Sequence, residues 1–276
     1  MFKLSLKIVL LFVSIVVVLL SSGIVLKGID TILLKRAIPF VLIIGLVAII
    51  LWRNSVFISL KPLATVHNKI IVIPAMVLLF AYSAWASDGF TSQTNSLPFV
   101  IGLVGLIYLQ TFWEELIFRG IILNHYMTKG VSLIKSLFYS SLIFALIHLI
   151  NLWSNPSIES VINQVLFSIV MGVFLGAFFL LCRNIYLAGL AHTLINFPSY
   201  ANKYQNDSFI VPEQANSIAE STPLSETIMG TFLLLLVYSP FLLVGLAFLY
   251  KVKKDIAKTP LILINEFAFK PFRSKG

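Results

Sequence analysis

The chain has 276 residues, of which 59% are hydrophobic and only 11% charged, and its mean hydropathy is +0.98. This composition lies far from that of soluble globular proteins and excludes a large water-soluble domain. The formal net charge of +9 does not indicate nucleic-acid binding, because the basic residues lie at the ends of apolar runs, where they match anionic lipid headgroups.

Apolar runs of spanning length predict an all-α, polytopic membrane helix bundle with about eight transmembrane helices, since each span needs about 20 residues. We expect the first run to be a retained helix, because it continues to Val25 without a small-x-small cleavage site. The seventh run is short and begins at Asn184, which is compatible with a tilted, broken or buried helix. The predicted helices cover residues 7–26, 37–56, 69–87, 98–123, 131–152, 161–182, 184–198 and 227–250.

The sequence predicts a single integral-membrane domain, 1–276, with a motif core at 98–198 and a basic tail at 251–276. The long polar connection 199–226 is expected to be a solvated loop rather than a lid. We expect both termini to be cytoplasmic, because the tail after Tyr250 carries seven basic residues. The residues that oppose this orientation lie in the first predicted connection and are Lys27, Lys35 and Arg36.

The first polar cluster, Trp113 to Arg119, lies near the end of the fourth apolar run. In a helix Glu115 and Arg119 stand four residues apart and can form an ion pair, whereas Glu114 is rotated by about 100° and stays free. Ionisable groups inside apolar helices are costly unless they are paired or hydrated, so each is a functional candidate. Alone, the cluster is equally compatible with an interfacial helix end that needs no chemistry.

Two further clusters place histidines inside apolar runs. His148 alone is compatible with a packing residue, whereas His192 and Asn196, four residues apart, share one helical face and alone fit an interhelical hydrogen-bond clamp. Together these clusters put two of the four histidines and two of the eleven acids inside apolar helices, which favours one shared site. His67 and His125 lie at or beyond predicted helix ends and receive no role.

The residue types allow two kinds of hydrolytic chemistry. A carboxylate beside a histidine can activate water as a general base, and His192 and Asn196 can donate hydrogen bonds to the oxyanion that forms. Alternatively, Glu114, His148 and His192 have the ligand types of a two-histidine, one-carboxylate zinc site with an open position for water. Cys182 is the only cysteine, which excludes a cysteine-rich zinc site, and the chain lacks the His-Glu-x-x-His spacing of familiar zinc proteases. Both chemistries stay open.

The elements Glu-Glu-x-x-x-Arg, Phe-x-x-x-His and His-x-x-x-Asn follow one another between residues 114 and 196. In this order they resemble the CAAX-processing and bacteriocin-processing (CPBP, or Abi) family of intramembrane endopeptidases. The resemblance implies that Glu114 activates water with His148 as its partner, and that the other two catalytic residues stabilise the oxyanion or hold a metal. The implied catalytic residues are Glu114, His148, His192 and Asn196, and the implied supporting pair is Glu115 and Arg119.

We therefore expect an intramembrane endopeptidase that hydrolyses a peptide bond of a membrane-associated protein or peptide in a bacterial cell membrane. Peptide maturation and bacteriocin self-immunity are roles that the resemblance implies. The expected partners are membrane lipids and the substrate, without nucleic acid, and a divalent metal such as zinc is the cofactor left open. The alternatives are a noncatalytic membrane scaffold or immunity protein and, less favoured because no inverted repeat is visible, a small transporter or proton relay.

Overall fold

The computed structural model describes residues 14, 32–53, 68–87, 96–153, 157–204 and 224–258. All regular structure in these ranges is helical, which confirms the predicted all-α fold class. The regular structure includes a π-helical segment, Leu116–Leu123, and a 3-10 segment, Ile147–Trp153. The α-helices are α1 (Ile32–Arg53), α2 (Lys69–Ala86), α3 (Leu97–Glu115), α4 (Asn124–Thr128), α5 (Leu133–Leu146), α6 (Ile158–Cys182), α7 (Ile185–Lys203) and α8 (Leu224–Lys258).

Within the described ranges, five helical stretches are long and apolar enough to cross a membrane. The first predicted helix, 7–26, lies outside the described residues apart from residue 14, so the predicted count of about eight stays a prediction. The α6 span is 72% buried inside the bundle, against 17% to 33% for the other four, so α6 is the central spanning helix. The five stretches are Lys69–Ala86, Leu97–Thr128, Leu133–Leu152, Ile158–Cys182 and Leu235–Asp255.

Several predicted helix boundaries were wrong because helices extend past their apolar runs. Helix α8, predicted as 227–250, continues to Lys258 and so includes the first part of the predicted tail. Helix α1 begins at Ile32, so Lys35 and Arg36 lie inside the helix rather than in the first connection. Helix α7 continues to Lys203, into the segment predicted as a loop. Hydropathy locates the apolar part of a helix, whereas backbone hydrogen bonding continues through flanking polar residues.

The π segment after α3 is stabilised by side chains that bind its backbone carbonyl oxygens. The Ser140 hydroxyl donates to the Phe118 carbonyl at 2.7 Å, and the Asn124 amide donates to the Gly120 carbonyl at 3.1 Å. Wider π turns inside α-helices are frequent at functional sites. The fourth predicted helix is therefore continuous, but its hydrogen-bond pattern changes directly after Glu115.

A two-residue connection joins α6 to α7. The Arg183 backbone adopts a left-handed conformation with φ of 52°, and its N–H bonds the Phe179 carbonyl at 2.7 Å. The Asn184 side chain then caps α7 by accepting a hydrogen bond from the Leu187 N–H at 3.1 Å. This short reversal keeps α7 against α6, while its other sides contact α2, α3 and the π segment. The predicted start of the seventh helix at Asn184 is confirmed, and the helix is buried among the others.

Close packing of α5 on α6 depends on a small residue. A Cβ atom added to Gly172 would lie 2.8 Å from the Ser141 Cβ and 2.9 Å from its Cα, which is closer than real contacts allow. Small residues let membrane helices approach until their backbones nearly touch. This approach carries the α5 side chains to the surface of the π segment, where the polar cluster lies.

Candidate active site

The candidate active site forms where the end of α3 and the π segment face α7. The ion pair that the four-residue spacing predicts is present, since the Arg119 Nε lies 3.1 Å from the Glu115 Oε2. Both side chains are almost fully buried, with 1% and 0% exposure. An unpaired charge at such a position would be strongly destabilising, so each residue depends on the other.

His192 contacts the same glutamate from α7. Its Nδ1 lies 2.9 Å from the Glu115 Oε1. Because a carboxylate only accepts hydrogen bonds, Nδ1 carries the proton. This bond fixes the orientation of the ring and leaves Nε2 available to contact a water molecule or a substrate. Sequence reasoning placed Glu115 with Arg119 but missed this second bond, which joins residues 77 positions apart and leaves no periodic signal.

Glu114 lies beside the other nitrogen of that ring. Its Oε2 is 3.8 Å from the His192 Nε2, and its side chain keeps 12% exposure while Glu115 keeps none. The separation is longer than a hydrogen bond, yet short enough for one water molecule or one substrate atom to contact both groups. The two adjacent glutamates thus differ in their surroundings. Glu115 is buried and bonded to Arg119 and His192, whereas Glu114 is partly exposed.

The structure does not bring His148 into direct contact with the carboxylates. His148 lies in the 3-10 segment rather than in the predicted α-helix, and its Nδ1 donates to the Phe144 carbonyl at 2.9 Å. Within the described ranges, no ion pair joins His148 to an acid. Its Nε2 is left available, because a carbonyl oxygen cannot donate and so requires the proton on Nδ1.

Phe144 contacts both His148 and the residues of the buried network, which do not contact each other directly. Its ring makes edge contacts with His148 and His192, with centroid separations of 5.2 Å and 5.8 Å. The Arg119 guanidinium lies over the same ring at 4.7 Å and donates to the Gly172 carbonyl at 3.3 Å. Phe144 is therefore more than a motif position, because its ring contacts His148, His192 and Arg119.

Asn196 lies one helical turn beyond His192 on α7 and is half-buried. Its side chain makes no hydrogen bond to the part of the chain that the structure describes, so both amide hydrogens can serve a ligand. His192 and Asn196 therefore lie on one face of α7, as their four-residue spacing predicts. The role of Asn196 as an oxyanion donor stays a prediction.

Glu114, His148 and His192 are the predicted ligands of a possible metal ion. Both histidines bind an acceptor through Nδ1 and present Nε2 to a ligand, which is the arrangement that metal-binding histidines show. However, within the described ranges no three His, Cys, Asp or Glu side chains converge closely enough to hold one ion. Glu114, His148 and His192 have suitable donor atoms but, as placed here, do not fit a three-ligand site.

Comparison with known proteins identifies the segment that contains this site. Residues 95–198 match the family model described as type II CAAX prenyl endopeptidase Rce1-like. The match covers α3 to most of α7 and includes all six predicted site residues. It confirms the resemblance that the three sequence elements indicate. No curated protein and no solved structure matches the chain.

Proposed function

We propose that this protein is an intramembrane endopeptidase, because residues 95–198 match the family model described as type II CAAX prenyl endopeptidase Rce1-like. Its substrate is a membrane-associated protein or peptide, and its setting is the bacterial cell membrane, in peptide maturation or bacteriocin self-immunity. The observation that carries the proposal is the buried network in the matched segment, where Glu115 holds Arg119 and His192 while Glu114 stays accessible.

In the proposed reaction, Glu114 accepts a proton from a water molecule while the water oxygen bonds to the scissile carbonyl carbon. The carbonyl oxygen becomes an oxyanion, which the Asn196 amide stabilises by donating a hydrogen bond. When the carbon–nitrogen bond breaks, Glu114 returns the proton to the leaving amine. The network around Glu115 does not react, because both of its oxygens are held by Arg119 and His192.

The two histidines take different parts in this proposal. His192 can contact the water through Nε2, or donate to the oxyanion from Nε2 when both of its nitrogens carry protons. The His148 ring packs against Phe144, as the His192 ring does, and makes no direct contact with Glu114 among the described residues. Its partnership with Glu114 therefore requires the site to tighten around the substrate, as catalytic hydrogen bonds commonly do when a substrate binds.

The test is hydrolysis by the purified protein in proteoliposomes, followed by mass spectrometry of the products. The probe is a peptide in which an S-farnesylated cysteine precedes three apolar residues, together with its unmodified counterpart. We expect product with the native protein and none above background with Glu114→Ala or His148→Ala. Full activity in both variants would refute the proposal. A noncatalytic scaffold would instead give no product with the native protein and keep its cellular phenotype in both variants.

A further inference from the structure

The two helices that carry Glu114 and His192 are tied together around the candidate active site. Side chains of α3 bond to side chains of α7 at three places, and interhelical hydrogen bonds of this kind stabilise the packing of membrane helices. The three pairs are Glu115 with His192 at 2.9 Å, Thr111 with Thr193 at 2.8 Å, and Gln110 with Tyr200. The separation of Glu114 from His192 is therefore set by α3 and α7, whereas the position of His148 depends on a different part of the chain.

His148 belongs to a segment that depends on the rest of the bundle for its shape. The segment Ile147–Trp153 keeps 3-10 geometry over seven residues. Runs of this geometry longer than three or four residues are uncommon, because their hydrogen bonds are poorer than those of an α-helix. Apolar side chains of the segment are exposed on the bundle surface at Leu149, Ile150 and Leu152. The segment is therefore stabilised by contacts that its other side chains make.

Asn151 makes a polar contact between this segment and α6. Its Nδ2 donates to the Gln164 Oε1 at 2.8 Å. Both amides are half-buried and lie in stretches that are long and apolar enough to cross a membrane, where a low dielectric strengthens a hydrogen bond. Because three residues complete one 3-10 turn, Asn151 lies on the same face of the segment as His148. The bond therefore fixes the rotation of this face relative to α6.

We propose that Asn151 and Gln164 are positioning residues for His148. This inference rests on the proposed endopeptidase function, in which His148 acts together with Glu114. Two contacts then orient the histidine. The Phe144 carbonyl accepts from its Nδ1 at 2.9 Å, and the amide pair fixes the backbone from which its ring projects. The His148 Nε2 is thereby held in one direction before the substrate binds.

The amide pair also selects between two helix geometries. Three residues turn through about 300° in an α-helix, whereas they complete about 360° in a 3-10 helix. If the segment continued as an α-helix, the side chain at 151 would be rotated by about 60° relative to that of His148. With Asn151 bonded to Gln164, this rotation would turn the His148 ring away from its contact with Phe144. Loss of the bond should therefore change the direction of the His148 ring.

The competing role for this bond is a simple clamp between α5 and α6. These helices are already held together by close packing. A Cβ atom added to Gly172 would lie 2.8 Å from the Ser141 Cβ, and one added to Gly176 would clash with the Leu137 side chain. Both contacts involve residues of α5 that precede the 3-10 segment. The packing of α5 on α6 thus does not require the amide pair, whose effect is local to the segment that carries His148.

The experiment measures kcat and KM for the farnesylated peptide in proteoliposomes after changes of similar volume that remove one amide. We expect Asn151→Leu and Gln164→Met each to lower kcat about 10- to 100-fold with KM unchanged, since a misplacement of about 1 Å can cost about 100-fold. The double variant should lose no more than either single variant, because all three break the same bond. The exchanged pair Asn151→Gln/Gln164→Asn rebuilds the bond with the same total side-chain length and should bring kcat back close to the native value.

Leu152→Ala is the matched control, because it removes an exposed side chain of the same segment and should keep the native kcat. A native kcat in Asn151→Leu or Gln164→Met would overturn the positioning role. An exchanged pair as slow as the single variants would overturn it as well. A lower unfolding temperature with a native kcat per folded molecule would assign the pair to stability alone, which also contradicts the proposal.

Nitrogen NMR separates this inference from the proposed function. The protein is labelled with ¹⁵N-histidine in detergent micelles, and the His148 ring signals are identified by their absence from His148→Gln. We expect Asn151→Leu to shift these signals, the exchanged pair to restore them, and the His192 signals to stay unchanged. This pattern in a native protein that does not hydrolyse the peptide would overturn the proposed function but support the positioning of His148. Unchanged His148 signals in Asn151→Leu would overturn the positioning alone.

Discussion

The Glu115 carboxylate accepts a hydrogen bond from the His192 Nδ1 at 2.9 Å, across 77 positions of the chain. The same carboxylate lies 3.1 Å from the Arg119 Nε, so one buried acid joins α3, the π segment and α7. Glu114, its neighbour in sequence, has no partner within hydrogen-bond distance among the described residues, and its Oε2 lies 3.8 Å from the His192 Nε2. Adjacent positions on one helix thus point in different directions, so that Glu115 supports the structure and Glu114 is left able to contact a water molecule or a substrate.

Glu115→Gln should destabilise the protein far more than Glu114→Gln does. The substitution removes the negative charge beside a fully buried guanidinium, and breaking a buried pair in this way costs about 3 to 5 kcal/mol. Thermal unfolding in detergent micelles measures the difference between the two variants. Equal midpoints for Glu115→Gln and Glu114→Gln would contradict the assignment of Glu115 to the supporting network.

Gly172→Ala should push α5 away from α6 and weaken both stability and activity. Its new methyl group would meet the Ser141 backbone at 2.9 Å, and the Gly172 carbonyl also accepts from Arg119. Overpacking of this kind typically costs about 1 to 3 kcal/mol. Gly105→Ala on α3 is the matched control, because nothing lies within 4 Å of its added Cβ. A Gly172→Ala protein as stable and active as the Gly105→Ala protein would show that this close approach is unimportant.

Asn196→Ala should lower kcat by about 10²- to 10³-fold, which is the usual effect of removing one oxyanion donor. The unfolding temperature should barely change, because the Asn196 side chain makes no hydrogen bond within the described ranges. Steady-state kinetics on the peptide and a thermal melt of the same preparation measure both quantities. Unchanged kcat would remove Asn196 from the proposed site.

Chelation distinguishes the carboxylate mechanism from a metal mechanism. Since Glu114, His148 and His192 do not converge as three ligands in the described part of the chain, we expect activity to survive 1,10-phenanthroline and EDTA. The same measurement is repeated after addition of Zn²⁺ to the chelated sample. Loss of activity that zinc restores would show that the reaction requires a bound metal, and would replace the direct general-base mechanism.

Periodicity in the sequence predicts the parts of the site that depend on one helix. The four-residue spacings correctly place Glu115 with Arg119, and His192 and Asn196 on one face of α7. These features follow from 3.6 residues per turn and need no knowledge of the fold. The same reasoning located the central helices, because lipid-spanning segments must be long and apolar.

Contacts between helices were not predictable in this way. The bond from His192 to Glu115 depends on how α7 packs against α3, and the position of His148 depends on a change from α to 3-10 geometry after Leu146. Arg36 had been assigned to a connection, so its contact with Tyr204 could not be anticipated. Local pattern fixes the face of a helix, whereas tertiary packing decides which faces meet.

The most direct measurement is kcat for Glu114→Gln, a nearly isosteric change that removes the proposed base. Glu159→Gln, at the start of α6 and outside the site, is the matched control. We expect kcat for peptide hydrolysis to fall by about 10²- to 10⁴-fold in Glu114→Gln, with unchanged unfolding temperature and peptide affinity, and to stay native in Glu159→Gln. A Glu114→Gln protein that hydrolyses the peptide at the native rate would contradict the assignment of Glu114 as the base.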